Sequence, residues 1–360
     1  MLKANAHIAD MAPYALANLT AEPGTRLISL SQNESLRPPS PRASQAAITA
    51  MGQAALYPDP DWTDLRNAIA QVHAIDPAMI LCGAGSMELI AALLHAYASA
   101  TDTILAPAYS YAFFRTMAHV TQARYLIAAE PDLRVCTQTL LAALTDNTKI
   151  VCIANPGNPT GTVIPSQDLR DLRAALPRDT LLIIDEAYGE FATSNEPIFD
   201  MAQSGNTVIL RTFSKAYGLA GLRVGWGVFP EHIASETRKL LNPNNISAVS
   251  QAAAAAAMQD QEYMKETCSL TTDLRTELIK TCRQLGLEVP ESQTNFALIR
   301  FDSAASANSA DSALRHRGVI MRGMAGYGLP ECLRATIGPP EDMKLAIETL
   351  KQWHEQRGTK

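Results

Sequence analysis

The sequence predicts an α/β protein: a mostly parallel sheet with helices on both faces, plus a smaller α+β domain. From about residue 60, short apolar runs rich in Ile, Val and Leu alternate with segments of helical apolar spacing. Runs that lack polar–apolar alternation are typical of strands covered on both faces. The chain has 360 residues, which exceeds one simple core and favours a large domain joined to a smaller one.

Each element of this fold follows from a local pattern. Helical spacing predicts helices over 62–75, 86–100 and 165–177, the last of which begins with Ser166 as its N-cap. Apolar runs predict strands of the large sheet over 102–107, 149–155, 180–188 and 207–213. An alanine-rich stretch predicts one long helix over 251–286, ending at Gly286.

The C-terminal part predicts the smaller domain. Its apolar runs predict strands over 295–301, 316–324 and 332–338, and a proline-rich connector occupies 36–44. We therefore expect an N-terminal arm that joins the small domain, a large α/β domain and a small C-terminal α+β domain, over 1–44, 45–245 and 246–360.

Composition excludes several classes of protein. Hydrophobic residues make up 47% and charged residues 18%, as in folded globular proteins. The net charge of −6, without a basic stripe, predicts neither nucleic acid nor an anionic membrane as a partner. No run approaches the roughly 20 apolar residues of a membrane span, and the N-terminus lacks the apolar core of a signal peptide.

The metal and redox chemistry of the chain is predicted from its cysteines and histidines. Six scattered cysteines without a C-x-x-C motif predict free thiols in a reducing cytoplasm. The seven histidines lack the spacing of metal ligands, so we expect no metal site.

Polar side chains follow three predicted strands at the point where each strand ends. One strand leads to Asn158, the next to Asp185 with Tyr188, and the third to Ser214 and Lys215. Each residue alone has a plain explanation: turn chemistry, a helix cap or a solvated loop lysine. If the strands are parallel, however, all these groups meet on the edge of the sheet where α/β proteins bind ligands.

Pyridoxal phosphate is the cofactor that uses such a set of groups. It requires a lysine for a Schiff base, an acid opposite the pyridine nitrogen and a cradle for its phosphate. A desolvated lysine near other cations has a lowered pKa and is the better nucleophile. Lys215 fits the covalent link, and the hydroxyls of Thr212 and Ser214 with Arg223 fit the phosphate.

A second anion-binding turn precedes the helix over 86–100. Gly83, Ala84, Gly85 and Ser86 place backbone N–H groups at a helix N-terminus, which favours an anion. Such a turn is more often a simple helix start. It lacks the third glycine of a dinucleotide fingerprint, and the chain contains no P-loop.

At this point the sequence resembles the fold type I pyridoxal-phosphate aminotransferases, and within them the histidinol-phosphate aminotransferase group. The resemblance extends over nearly the whole chain. It rests on "LYPDP" at 56–60, "GAGSMELI" at 83–90, "PAYSYAFF" at 107–114, "NPGNPTG" at 155–161, "DEAYGEF" at 185–191, "FSKAYGLAGLRVG" at 213–225 and "MRGMAGYGLPECLRATIG" at 321–338.

The resemblance implies roles for the residues around the cofactor ring. Lys215 carries the covalent link and later moves a proton as general base and acid. Asp185 pairs with the pyridine nitrogen, while Asn158 and Tyr188 hydrogen-bond the phenolic oxygen of the ring. Tyr109 stacks on the face of the ring, as an aromatic side chain can.

The resemblance also implies how the phosphate and the substrate are held. The backbone of Gly85 and Ser86, with the side chains of Ser214 and Arg223, binds the phosphate. Tyr57 reaches the phosphate of a neighbouring subunit, which implies a homodimer with shared active sites. The residues expected to contact the substrate are Arg334 as the anion anchor, with Arg322, Tyr14 and Asn158.

Two departures from the family pattern concern the substrate and the phosphate turn. Where the family has Asn-Glu-Asn-Pro followed by Tyr-Gly, this chain reads "SQNESLRPPSP", which retains Asn33 and Glu34. That change lies near the expected substrate entrance and leaves substrate identity open. Gly85 and Ser86 stand where Ala-Asp is usual, which a turn that donates backbone N–H groups tolerates.

The implied activity is transamination of histidinol phosphate with 2-oxoglutarate by a ping-pong cycle in histidine biosynthesis. Three alternatives stay open at this stage. An aromatic amino acid aminotransferase shares every cofactor residue, and so does a decarboxylase of an amino-acid phosphate. The third alternative is a cofactor-binding regulator, although the chain carries no added segment long enough for a DNA-binding domain.

Overall fold

The structure is a computed structural model that describes residues 2–13, 19, 24–203 and 205–358. Within these residues the strands form two sheets, one with seven strands and one with four. The strands are β1 Ile28–Leu30, β2 Ile80–Gly83, β3 Thr103–Pro107, β4 Arg124–Ala128, β5 Thr148–Ala154, β6 Leu181–Asp185, β7 Thr207–Thr212, β8 Gly225–Val228, β9 Phe296–Arg300, β10 Val319–Met324 and β11 Leu329–Thr336.

Helices alternate with the strands along the chain, as the apolar patterns predict. They are α1 Ala6–Ala9, α2 Pro41–Met51, α3 Thr63–His73, α4 Ser86–Tyr97, α5 Ala112–Val120, α6 Thr137–Ala142, α7 Ser166–Ala175, α8 Glu231–Arg238, α9 Ala248–Gln259, α10 Gln261–Gln284, α11 Ala304–His316 and α12 Pro340–Gly358. No helix in the described ranges is long and apolar enough to cross a membrane.

The large sheet has the strand order β2-β8-β7-β6-β5-β3-β4. Strands β3 to β7 run parallel, whereas β8 runs antiparallel to both of its neighbours. Every residue of β3, β6 and β7 is buried, because helices cover both faces of these strands. The predicted α/β class with a mostly parallel sheet is confirmed.

The small sheet has the order β1-β10-β11-β9 and its own apolar core. Strand β1 comes from the N-terminal arm and pairs in parallel with β10. Helices α11 and α12 supply Leu314 and Trp353 to the core. The three predicted C-terminal strands correspond to β9, β10 and β11.

The predicted long helix over 251–286 is wrong, because the chain forms two helices there. Asp260, with φ −96° and ψ 60°, leaves the helical region between α9 and α10. Gly286 has φ +75° and follows the end of α10, where a left-handed residue suits glycine. Buried residues within 246–268 pack in the core of the large sheet. The boundaries of the three predicted domains stay a prediction.

The N-termini of α7 and α2 are formed differently from what the sequence predicts. Ser166 is the first residue of α7 and donates to the Glu196 carbonyl at 2.8 Å, so it is not the cap; Pro165 occupies that position. In the connector, the Ser40 hydroxyl accepts from the Ala43 N–H and caps α2, with Pro41 at the first helical position. The proline-rich stretch therefore ends as a helix start.

Candidate active site

A cavity of about 570 Å³ lies where the carboxyl ends of β5, β6 and β7 face the small sheet. Parallel strands deliver their final residues to one edge, which is why residues distant in sequence meet here. The predicted residues that line the cavity are Ser86, Asn158, Asp185, Tyr188, Thr212, Ser214, Lys215, Arg223, Arg322 and Arg334.

Lys215 follows β7 and is partly buried on the floor of this cavity. Its Nζ donates to the backbone carbonyls of Asn33 at 2.8 Å and Gln32 at 3.3 Å. Loss of hydration in the cavity lowers the pKa of Lys215 to about 8, and the cations Arg334 and Arg223 act in the same direction. A larger fraction of this amine is therefore neutral near pH 8 than of an ordinary lysine.

Asp185 is the last residue of β6 and is only 4% exposed. Its Oδ1 accepts from the Ala187 N–H at 3.1 Å. Burial raises the pKa of Asp185 to about 7, because the charged carboxylate loses its hydration. A cation or N–H⁺ donor placed in the cavity would stabilise the charged form.

Tyr188 lies one turn after Asp185 and is 4% exposed. Its ring meets Phe296 edge to face, with centroids 5.1 Å apart, and its Oη accepts from Asn33 Nδ2 at 2.8 Å. Burial raises the pKa of Tyr188 to about 12, so the phenol keeps its proton at neutral pH.

Asn158 joins the loop after β5 to the small sheet. Its Oδ1 accepts from Arg334 Nη1 at 2.6 Å, and Arg334 Nη2 donates to the Ser31 carbonyl at 3.1 Å. The loop itself is held by Asn155, whose side chain donates to the Ile164 carbonyl and accepts from its N–H. Two neutral oxygens, one on Asn158 and one on Ser31, therefore orient Arg334 toward the cavity.

The N-terminus of α4 and Arg223 form a cradle suited to an anion. Gly85, with φ +79°, makes room for the Arg223 guanidinium, since a Cβ there would lie 2.5 Å from Nη2. Arg223 Nη1 lies 3.4 Å from Ser214 Oγ and 3.0 Å from the Ala220 carbonyl. A guanidinium, a hydroxyl and the first N–H groups of a helix thus share one corner.

The predicted backbone contact of Gly85 with the phosphate needs correction. Its N–H donates to the Gly83 carbonyl at 2.7 Å within the tight turn. Gly85 therefore contributes space for Arg223 rather than a donor, and Ser86 and Met87 begin the helix that faces the cavity. The sequence could show that glycine was needed but not which way its N–H points.

The predicted ring-stacking residue, Tyr109, does not line this cavity; Tyr111 does. Tyr109 packs against the cluster that contains Leu133, and its N–H donates to Glu130 Oε2 at 2.9 Å. Tyr111 immediately precedes α5, and its ring lies 6.2 Å and 5.9 Å from those of Phe113 and Phe114. The two tyrosines stand two residues apart in "PAYSYAFF", so the motif marked the segment but not the member.

Two arginines form the wall opposite the floor. Arg322 on β10 pairs in register with Arg334 on β11, and both line the cavity together with Tyr327. Arg334 is 7% exposed and Arg322 is half-buried. Adjacent like charges on paired strands repel each other, and an anion bound between them would offset that repulsion.

A buried ion-pair cluster that sequence analysis missed supports the floor from its far face. Arg211 on β7 donates to Glu186 at 2.8 and 3.0 Å and to Glu190 at 3.2 Å. Its guanidinium lies 5.0 Å from the Phe199 ring centroid. Side chains alternate along a strand, so Glu186 and Arg211 point away from the side that carries Asp185.

Sequence analysis also predicts Tyr57 and Tyr14 as site residues. Tyr57 is 89% exposed, which leaves its predicted role dependent on a second subunit. Tyr14 lies outside the described residues. In the described part of the chain, no three His, Cys, Asp or Glu side chains are grouped to hold a metal ion.

Comparisons with known proteins show the family of this chain. The family aminotransferase class I and II matches residues 25–350. A histidinol-phosphate aminotransferase from Paramagnetospirillum magneticum is 40% identical over 352 residues, covering 96% of this chain and 97% of the relative. One from Rhodospirillum rubrum is 39% identical over 350 residues, covering 95% and 94%.

Solved structures give the same result. The crystal structure of histidinol-phosphate aminotransferase from Sinorhizobium meliloti in complex with pyridoxal-5'-phosphate has a TM-score of 0.86 and 30% identity, covering 91% of each chain. Aspartate aminotransferase from Thermus thermophilus, at 18% identity and a TM-score of 0.86, covers 98% of this chain and all of its own, and shows the shared fold alone. The chain belongs to the class I and II aminotransferases.

Proposed function

We propose that this aminotransferase uses pyridoxal phosphate to exchange an amino group between histidinol phosphate and 2-oxoglutarate, a step of histidine biosynthesis. One observation carries the proposal: a single cavity unites an anion cradle, a buried carboxylate, an amine of lowered pKa and two arginines. Similarity to histidinol-phosphate aminotransferases over at least 94% of both chains supports the choice of substrate.

The residues of the cavity fit this cofactor. Arg223, Ser214 and the start of α4 suit the phosphate, and Asp185, buried with a raised pKa, suits the pyridine nitrogen. When bound, the cofactor supplies an aldehyde that links to amines and a ring that accepts electrons. Tyr111 lines the cavity and is proposed, in place of Tyr109, as the aromatic residue that would cover the ring.

Lys215 is the residue that forms the covalent link and moves the proton. Its lowered pKa makes the neutral amine available near pH 8, which a nucleophile and a general base both require. Once free of that link, the Lys215 Nζ would be the base that accepts a proton from the bound amino donor and the acid that returns it. Tyr188 and Asn158 line the same cavity and would hold the oxygen of the cofactor ring.

The arginine wall provides the contact to the substrate anion. Histidinol phosphate presents a phosphate, and glutamate presents carboxylates, so one wall must accept either anion in turn. Arginine suits this task because its planar fork of donors binds both groups in a bidentate manner. Arg334 is oriented by Asn158 and Ser31, which leaves Arg322 as the more exposed partner at the mouth.

The protein is proposed to act as a homodimer. Ile48, Met51, Leu56 and Tyr57 are 68%, 60%, 69% and 89% exposed and follow one another on and after α2. Beside them a groove of about 740 Å³ runs between α2 and Ala252 of α9. An apolar surface of this kind favours burial against a second copy, whose phosphate cradle Tyr57 would then reach.

A cytoplasmic location is proposed on the state of the cysteines. All six are free thiols, and five of them are buried. Secreted proteins of an oxidising compartment usually pair such residues, whereas reducing compartments leave them free.

The substrate proposal is tested by half-reactions on cofactor-loaded protein. Each amino donor is added without an acceptor, and the absorbance of the bound cofactor is followed. We expect conversion by histidinol phosphate and by glutamate. Conversion by phenylalanine or tyrosine alone would replace the proposal with an aromatic aminotransferase, and release of carbon dioxide would indicate a decarboxylase.

The dimer proposal is tested with Tyr57→Phe. Tyr57 is exposed and is not among the residues that line this chain's own cavity, so weaker cofactor binding in a particle of twice the chain mass would support a shared site. Unchanged affinity, or a monomer that turns over at full rate, would contradict it.

A further inference from the structure

Asn33 touches both halves of the site although it belongs to the N-terminal arm. It follows β1, is 2% exposed and has φ +54°, a left-handed conformation that asparagine tolerates better than most residues. Its backbone carbonyl accepts from Lys215 Nζ at 2.8 Å and from Asn295 Nδ2 at 3.1 Å. Its side chain lies between Tyr188 and Thr336.

The hydrogen bonds around Thr336 determine how the Asn33 amide is oriented. The Thr336 hydroxyl accepts from the Asn33 N–H at 2.9 Å, and it donates its proton to Asn33 Oδ1 at 3.2 Å. If the amide were flipped, Nδ2 would face a hydroxyl already used as an acceptor, and the Thr336 proton would lose its acceptor. The structure has Nδ2 pointing to Tyr188, the orientation that leaves the Thr336 proton an acceptor.

This orientation determines the direction of the next hydrogen bond. An amide NH₂ can only donate, so Tyr188 Oη accepts from Asn33 at 2.8 Å. A phenol has a single proton, and that proton is then directed to another acceptor. Tyr188 lines the cavity, so the acceptor is whatever oxygen occupies the cavity beside it.

We propose that Asn33 is a positioning residue for Tyr188: it occupies one lone pair of the phenol oxygen and directs the phenol proton into the cavity. The inference rests on the proposed function, in which that proton is donated to the ring oxygen of pyridoxal phosphate. Through Thr336 on β11, the orientation is fixed by the small sheet, so both sheets together prepare the donor.

A merely structural role for Asn33 predicts different behaviour. In that case its side chain would only tie the arm to β11, and any variant that folds would leave the cofactor unchanged. The two roles are separated by Asn33→Asp, which keeps the shape and tolerates positive φ but replaces a donor by an acceptor. Tyr188 would then donate its proton to the new carboxylate instead of to the cavity.

The experiment follows the absorbance of bound pyridoxal phosphate against pH. A hydrogen bond donated to an anionic oxygen of the cofactor favours the deprotonated form of the bound cofactor. Losing the donor therefore raises the pH at the midpoint of the absorbance titration. We expect Tyr188→Phe and Asn33→Asp each to raise the midpoint by about one pH unit. Asn33→Gly, which keeps the backbone but frees the phenol, is expected to raise it by less.

A double variant separates proton direction from simple charge. The titratable and charged groups that face this position are unchanged in every variant: Asp185, Lys215, Arg334, Tyr327, Arg223 and Glu34. If Asn33 acts through Tyr188, Asn33→Asp adds no further shift in the Tyr188→Phe background. A full additional shift would mean that the new carboxylate acts by charge alone, and it would overturn the proposal.

A matched variant tests the same chain of bonds from its other end. Thr336→Val keeps the shape but removes the hydroxyl that orients the amide, so we expect a smaller upward shift of the midpoint. If Asn33→Asp does not fold, Asn33→Gly and Thr336→Val carry the test. Unshifted midpoints in both, with a shift in Tyr188→Phe, would overturn the role of Asn33 and leave the proposed function intact. Absence of any lysine-linked absorbance in the unaltered protein would overturn both.

Discussion

The floor and the wall of the cavity are built on different principles. The floor consists of the carboxyl ends of β5, β6 and β7, where Asp185 and Lys215 combine an acid and an amine. The wall consists of β10 and β11, where Arg322 and Arg334 place two like charges side by side. The floor therefore mixes signs at fixed positions, whereas the wall concentrates positive charge.

The supports of the two regions differ in the same way. Behind the floor, Arg211 is paired with two carboxylates that are buried with it, Glu186 and Glu190. On the wall, Arg334 is held by neutral oxygens of Asn158 and Ser31. The floor therefore suits one group that stays bound, whereas the wall suits anions that bind and are released.

The largest expected effect is on the floor. Lys215→Ala removes both the covalent link and the proton carrier, so kcat should fall by at least about 10³-fold for every donor. The lysine-linked absorbance of bound cofactor should disappear. Steady-state turnover and the absorbance spectrum measure this, and turnover near that of the unaltered protein would remove Lys215 from its assigned role.

The second expected effect concerns the support behind the floor. Arg211→Met leaves Glu186 and Glu190 buried without their cation, which should cost about 3 to 5 kcal/mol of unfolding free energy. Urea unfolding measures the change. Glu190→Gln is the control, because burial raises the pKa of Glu190 and a neutral side chain there should cost much less. Equal losses in the two variants would contradict this account.

The third effect belongs to the wall. Arg334→Met should raise KM for anionic substrates by about 10- to 100-fold, since removing one partner of a buried charged hydrogen bond costs about 2 kcal/mol or more. Its loss of stability should stay near about 1 to 2 kcal/mol, because the oxygens it leaves behind are neutral. Steady-state kinetics with two donors decides; an unchanged KM would show that the wall does not hold the anion.

The smallest effect tests whether the wall acts on the floor. Lys215, with its pKa lowered from 10.5 to about 8, reacts as the neutral amine, so loading of cofactor-free protein should speed up as pH rises through about 8. Arg334→Met should move that midpoint upward, because a nearby cation that disfavours the ammonium form is gone.

Arg322→Met is the matched control for this titration, since Arg322 is the register partner of Arg334 but is not among the main groups that shift the pKa of Lys215. Loading rates measured from about pH 6.5 to about pH 10 on the two variants give the comparison. Equal midpoints in both would mean that the wall and the floor titrate independently.

Local sequence patterns predicted the residues of the floor better than they predicted the residues around it. Asp185, Asn158 and Lys215 stand directly after apolar runs, and the parallel arrangement of those runs brings them together. Tyr109 is predicted from a motif that marks only its segment, whereas Tyr111, just before α5, is the residue of that segment that lines the cavity. The break at Asp260 was missed because helical spacing continues on both sides of it.

The remaining features depend on contacts between segments that no local pattern links. In the sequence, Arg211 looks like an ordinary strand residue. Only the structure shows that Glu186 and Glu190 pair with it. Asn33 reads as part of an altered entrance motif until Thr336, 303 positions later, orients its amide.

The sequence by itself determined the alternation of strands and helices, the order of the reactive residues and the family, because these follow from periodicity, strand ends and contiguous motifs. Only the tertiary structure decided which tyrosine of the motif lines the cavity, where the Gly85 N–H points and which group donates to Tyr188 Oη. The physical reason is that hydrogen-bond direction and side-chain exposure depend on partners brought together by folding, and spacing along the chain does not encode them.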